Sequence, residues 1–224
     1  MTEPRPSPSP NLDRWYSFRL DEQAVGALGL LAELLPHAVR DPYLWKWAVI
    51  ATHDALHGFK GLALRPVGSG AQMRVPKHEQ RAYALVERER HEGRPIPEDT
   101  GDRVDQFLGL FEKLQVDWRM RPYMNSEVFV PTAEQDSAVR YLDRLRNDLT
   151  HYSNTTLPVQ VGDLPNVLLC CIGVVEWLLV ESGNVTIFEQ ESEDTARRRI
   201  QRIKDELASL AAHWPATDRQ TCGV

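Results

Sequence analysis

Apolar residues recur at intervals of three and four along most of the chain, and the alternation of a half-buried strand is scarce. The pattern predicts a first helix from Leu20 through Leu35, with Pro36 breaking or kinking it. Asp41 can cap and Pro42 suits a first turn, so a second helix should run through Trp45, Val49, Leu56 and Phe59 to about Leu64. A charged, exposed helix is expected over residues 77–91, and another from Asp102 to Gln115 with Val104, Phe107, Leu108, Phe111 and Leu114 inward. Thr132 and Gln135 have capping-box spacing and should open a helix reaching about His151. Leu164-Pro165 opens a strongly apolar helix ending near Gly183, and Ser192-Glu-Asp caps a last helix that stops at Trp214-Pro215. The sum is an all-α bundle of long antiparallel helices joined by short irregular connectors.

Composition narrows this picture. With 224 residues, 42% of them hydrophobic, the chain can bury a substantial core, and we read residues 12–215 as one domain. Residues 1–11, rich in Pro and Ser, read as a disordered tail, and 216–224 as a flexible one. A net charge of −6 argues against a general duplex binder that neutralises many phosphates, yet leaves room for a local basic cleft. Cys170 and Cys171 are helix neighbours that cannot bridge each other, and Cys222 stands in the tail; this usage fits a reducing cytoplasm. The Gly-Ser-Gly at 68–70 lacks the Gly-Lys-Ser/Thr of a phosphate-binding loop. The longest apolar run, Val167 to Val180, is interrupted by Glu176 and falls short of a bilayer, so no membrane partner is expected.

The 132–151 helix carries the chemistry. Ala138, Leu142, Leu145, Leu149 and Tyr152 form a narrow apolar seam, with Arg140, Asp143, Arg144, Asn147 and His151 opposite. Asn147 and His151 are four apart and share a face, while Arg146 flanks them on a side chain long enough to bend across. Cleaving RNA without metal needs a base for the 2′-hydroxyl proton, an acid for the leaving 5′-oxygen and positive charge beside the phosphorane. An imidazole can serve as either acid or base, a guanidinium holds two phosphate oxygens, and an amide can donate or orient. One chain supplies one such histidine here; two copies facing each other would supply two.

Other groups compete. His53 and His57 have zinc-compatible spacing, but no third ligand is evident and Lys46 and Lys60 lie near them on the wheel, so no metal is expected. They read first as a hydrogen-bonded interhelical pair and second as the polar wall of an RNA cleft. Ala48, Ala51, Ala55 and Gly58 form a stripe suited to close helix packing. Arg197, Arg198, Arg199, Arg202 and Lys204 lie among acids and read as a solvated, ion-paired face. Trp45, Trp47 and Trp177 should anchor the core, whereas Trp118-Arg119-Met120-Arg121, in an expected loop, mixes an aromatic with two cations as single-stranded RNA sites do.

Arg146-Asn147-Asp148-Leu149-Thr150-His151 resembles the signature of the HEPN superfamily: Arg, a polar residue, a few residues, then His. The likeness extends to Leu145–Tyr152, Gly162–Pro165, Glu181–Asn184 and Leu44–Phe59, which together resemble an uncharacterised bacterial HEPN-like group. The resemblance implies a HEPN-like bundle, a homodimer with motifs facing across a cleft, and a metal-independent endoribonuclease of toxin, phage-defence or RNA-processing type. It implies Arg146 and His151 as catalytic and Asn147 as polar helper. Candidate RNA contacts are Arg140, Arg144, His53, His57, Arg119 and Arg121. Antitoxins or other proteins are further partners of such chains; here Tyr152 follows His151 directly, unlike the His-x-Tyr of toxins paired with nucleotidyltransferase antitoxins. The alternative is a catalytically inactive member that binds a protein or a nucleotide. No cofactor is implied.

Overall fold

A computed structural model describes residues 19–64, 88–89, 91–93, 105–121, 123–151, 157–187 and 189–213. Both expected tails, the Gly-Ser-Gly loop, most of the expected 77–91 helix and Tyr152 lie outside them. Among the described residues every regular element is helical: α1 (Leu20–Leu34), α2 (Leu44–Ala63), α3 (Phe107–Lys113), α4 (Asp117–Met120), α5 (Ala133–Thr150), α6 (Leu164–Val180) and α7 (Gln190–His213), with 3₁₀ turns at Leu35–His37 and Val161–Asp163.

Pro36 ends α1 as its ring geometry requires, by diverting the chain into a 3₁₀ turn. Asp41 accepts a hydrogen bond from the Tyr43 amide at 3.0 Å, and α2 starts at Leu44, after the Asp-Pro pair. The capping box of α5 forms in both directions: the Gln135 amide donates to Thr132 Oγ1 (3.2 Å) and the Thr132 amide to Gln135 Oε1 (3.0 Å). Three boundaries differ from the pattern. Asp105 and Gln106 are non-helical and α3 begins only at Phe107. The expected loop at 118–121 is instead a single helical turn, Asp117–Met120, followed by Arg121, because the Met120 amide bonds back to Val116. Ser192 sits inside α7 instead of capping it, its amide donating to Glu189 O.

The small-residue stripe of α2 is buried, and Gly58 lies so close to α1 that a Cβ there would come within 2.7 Å of Ala24 Cβ. A larger residue would push the helices apart. α6 packs against α2, α5 and α7, and α7 also packs on α1. Continuing the apolar run back to Val161 gives a 20-residue helical stretch that, by length and composition alone, could cross a membrane. Length therefore does not exclude a span, contrary to the sequence reading. About half of the stretch is buried inside the bundle, as in a core helix. At its end Gly183 takes φ +68°, and a Cβ there would meet the Asn125 carbonyl oxygen at 2.5 Å. Beside this turn, buried Asn184 accepts from Ser126 Oγ (2.6 Å) and donates to the Met120 carbonyl (2.8 Å), tying α4 to the end of α6.

Candidate functional site

The last two turns of α5 gather the motif residues. Ala138, Leu142 and Leu145 are buried, and Leu149 half-buried, so the seam fixes the helix on α6 and α2. Val139, absent from the expected seam, is buried as well. Arg146 Nη1 donates to Asn147 Oδ1 at 3.1 Å, the bend expected of the long side chain. Its Nε is buried without a hydrogen-bond partner among the described residues. Thr150 Oγ1 donates to the Arg146 carbonyl (2.9 Å) and lies 3.2 Å from that of Asn147, which closes the last turn. His151 follows as the C-cap: its amide donates to Asn147 O at 2.9 Å, its backbone turns extended, and its side chain is exposed.

Asp143 does not share the solvent face with Arg140 and Arg144. It turns toward α2, where its Oδ1 is 3.4 Å from His53 Nε2, while the other ring nitrogen of His53 lies 3.4 Å from Asp54 Oδ1. Phe107 of α3 stacks on His53 at 4.0 Å between centroids, and His57 lies parallel at 6.0 Å. His53 thus reaches across to Asp143 of α5 and to the Phe107 ring of α3. Burial, and then the charges of Lys60, His53 and Arg146, push the His57 imidazole down to about 4; Asp54 opposes this. Its Nδ1, like Arg146 Nε, is buried without a hydrogen-bond partner among the described residues. Lys60 is fully buried, donates to the Phe107 carbonyl at 2.6 Å and stands over that ring. Burial holds its ammonium well below the usual lysine range, with Asp143 pulling the other way.

The remaining candidates disperse. Arg140 is paired with Asp136 at 3.0 Å and approaches Glu112. Arg144 is exposed, its guanidinium 5.4 Å from the Tyr141 ring centre. Arg121 is held by Asp117 at 2.8 Å and lies near Glu127, and Arg119 stacks over Trp118. On α7, Arg197, Arg202 and Lys204 pair with Glu193, Glu33 and Glu176. Trp47, expected in the core, is half exposed, because Trp45 takes the inward position two residues earlier. No group of three metal-ligating side chains forms among the described residues.

Lys60 lies by the histidine pair, as the wheel placed it, whereas Asp143 was missed as a member of the cluster; its only signal was spacing, three before Arg146. No protein-family model, curated protein or solved structure matches the chain.

Proposed function

We propose that this chain is a metal-independent endoribonuclease of the HEPN kind, acting as a homodimer on RNA. One observation carries the reading. Arg146 is a half-buried cation that bonds a neutral amide and meets no carboxylate among the described residues, one turn before an exposed imidazole. A guanidinium recruited for stability is ordinarily compensated, since burying charge without a partner is costly. One left uncompensated is ready for an anion.

In the reaction one imidazole accepts the 2′-hydroxyl proton and the 2′-oxygen attacks phosphorus. The bond to the 5′-oxygen breaks, and a second imidazole protonates that oxygen. The products are a 2′,3′-cyclic phosphate and a 5′-hydroxyl. His151 supplies one imidazole and its twin in a second copy the other. Arg146 stabilises the phosphorane charge, Asn147 holds the guanidinium, and neutral His57 walls the site. A toxin, phage-defence or RNA-processing role, a protein partner such as an antitoxin, and a cytoplasmic setting belong to the same proposal.

The test is cleavage of total RNA by purified protein in excess chelator. The wild type should cut, and His151→Ala and Arg146→Ala should each lose at least about a hundredfold in rate. Equal cutting by all three proteins, or none by the wild type, overturns the proposal; the second result leaves the non-cleaving interaction or nucleotide-binding module.

A further inference from the structure

A cavity of about 330 Å³ lies between α1 and α7, lined by Gly26, Gly29, Leu30 and Glu33 on one side and by Arg199 and Arg202 on the other. Arg199 departs from the ion-paired face expected of its stretch. Its one hydrogen bond among the described residues runs from Nη1 to a neutral partner, the Val25 carbonyl, at 2.7 Å. The guanidinium lies face-on over Gly29, where a Cβ would meet Cζ at 2.8 Å and the two terminal nitrogens at 3.0 and 3.1 Å. Arg202, three residues on and on the same helix face, pairs with Glu33 at 2.8 Å. Both partners are exposed, so that pair is weak and opens readily. Gly26 is the second anomaly. It is exposed in mid-helix and a Cβ there would meet nothing within 4 Å, so packing gives no reason for a residue that weakens a helix. Its bare backbone leaves the floor of the cleft open.

We propose that this cleft binds a small phosphate monoester, with Arg199 and Arg202 holding the phosphate and the glycine floor of α1 taking the organic part. The chemistry selects the class. Two guanidiniums bring two fixed positive charges, and their planar forks match phosphate oxygens. A monoester carries a charge of about −1.5 to −2 at neutral pH and balances them, whereas a diester or a carboxylate carries a single charge. The volume is in the range of small-molecule sites. Glu33 is the one acid in the lining. It is 70% exposed, so when the phosphate takes Arg202 its carboxylate is released to water instead of being trapped beside the anion. The site is independent of the endoribonuclease reading, since α5 contributes no lining residue.

Calorimetric titration of the full chain with glycerol 3-phosphate at low salt, with glycerol and the diester dimethyl phosphate as controls, tests this. The monoester should bind about tenfold or more tighter than the diester, and glycerol should not bind. Arg199→Gln should weaken binding about tenfold, and Glu33→Gln, which frees Arg202, should tighten it about three- to fivefold. Gly26→Leu should fill the cleft floor and abolish binding while raising the thermal midpoint, because leucine is the better helix former and meets no neighbour at its Cβ. A cleft that serves packing alone would show the change in melting without any change in affinity. No binding of the monoester at millimolar concentration, equal affinity for the diester, or affinity unchanged in Gly26→Leu and Glu33→Gln overturns the inference.

Discussion

A guanidinium sunk between helices usually finds a carboxylate, and Asp143 is only three residues from Arg146; yet Asp143 goes to His53 and Arg146 to Asn147. The division leaves positive charge where α5 ends. Burial beside this cluster, reinforced by Lys60, makes His57 sensitive to acid. Its folded value near 4 lies below the ordinary 6.5, so the unfolded chain binds the proton first. The His57 contribution to stability should be constant above pH 6.5 and fall as pH drops from 6.5 toward 4, by about 3 kcal/mol over the whole interval. Urea melts of wild type and His57→Gln between pH 7.5 and 4.5 check this, the variant showing the shallower decline. Asn184 offers a second residue-scale prediction. Asn184→Ala removes two buried hydrogen bonds and strands the Met120 carbonyl, which should cost about 2–4 kcal/mol in denaturant melts. Spacing made the Arg146, Asn147 and His151 group legible. It could not tell which polar positions of α5 a neighbouring helix would cover, so Asp143 was placed toward solvent. The burial of Lys60, though not its place beside the histidines, escaped for a similar reason: a lysine reads as surface until a backbone carbonyl and a ring take up its ammonium.

Helices are recognised best where a side chain itself closes the first turn. The Thr132–Gln135 box is written in four residues and formed as read; Thr132→Ala should cost about 1 kcal/mol and fray the start of α5, visible as faster amide exchange there. Boundaries set by backbone bonds alone were harder to find. α7 starts at Gln190, two residues before the Ser-Glu-Asp that resembles a cap, and α3 waits until Phe107 reaches the core. Position within an apolar helix was also underdetermined, since Trp45 and Trp47 look alike in sequence while only one can face inward. The small-residue stripe was clearer, because Ala and Gly at helical spacing have few other uses. Gly58→Val should destabilise by about 1–3 kcal/mol by forcing α1 off α2, lowering the thermal midpoint.

For the whole molecule, the proposed function makes a dimer decide the chemistry. If each catalytic centre draws imidazoles from two copies, sedimentation should give a dimer at micromolar concentration. Refolding Arg146→Ala with His151→Ala as a mixture should then not restore wild-type cleavage, since every mixed centre keeps one guanidinium and one imidazole instead of two of each; full recovery would mean that one of each, drawn from different copies, is enough. The all-α architecture was readable because helical periodicity pervades the chain, whereas assembly depends on surfaces for which periodicity has no signal. The order of the elements has a further consequence. α6 is as greasy as a lipid-spanning segment, and α7, which packs on it and on α1 and buries Ala196, Ile200, Ile203, Leu207 and Leu210, is synthesised after it. While the ribosome is still making α7, the nascent chain displays an oily rod without its lid, so a chain stopped before Gln190 should be captured by chaperones or lipid, and maturation must await the final two dozen helical residues.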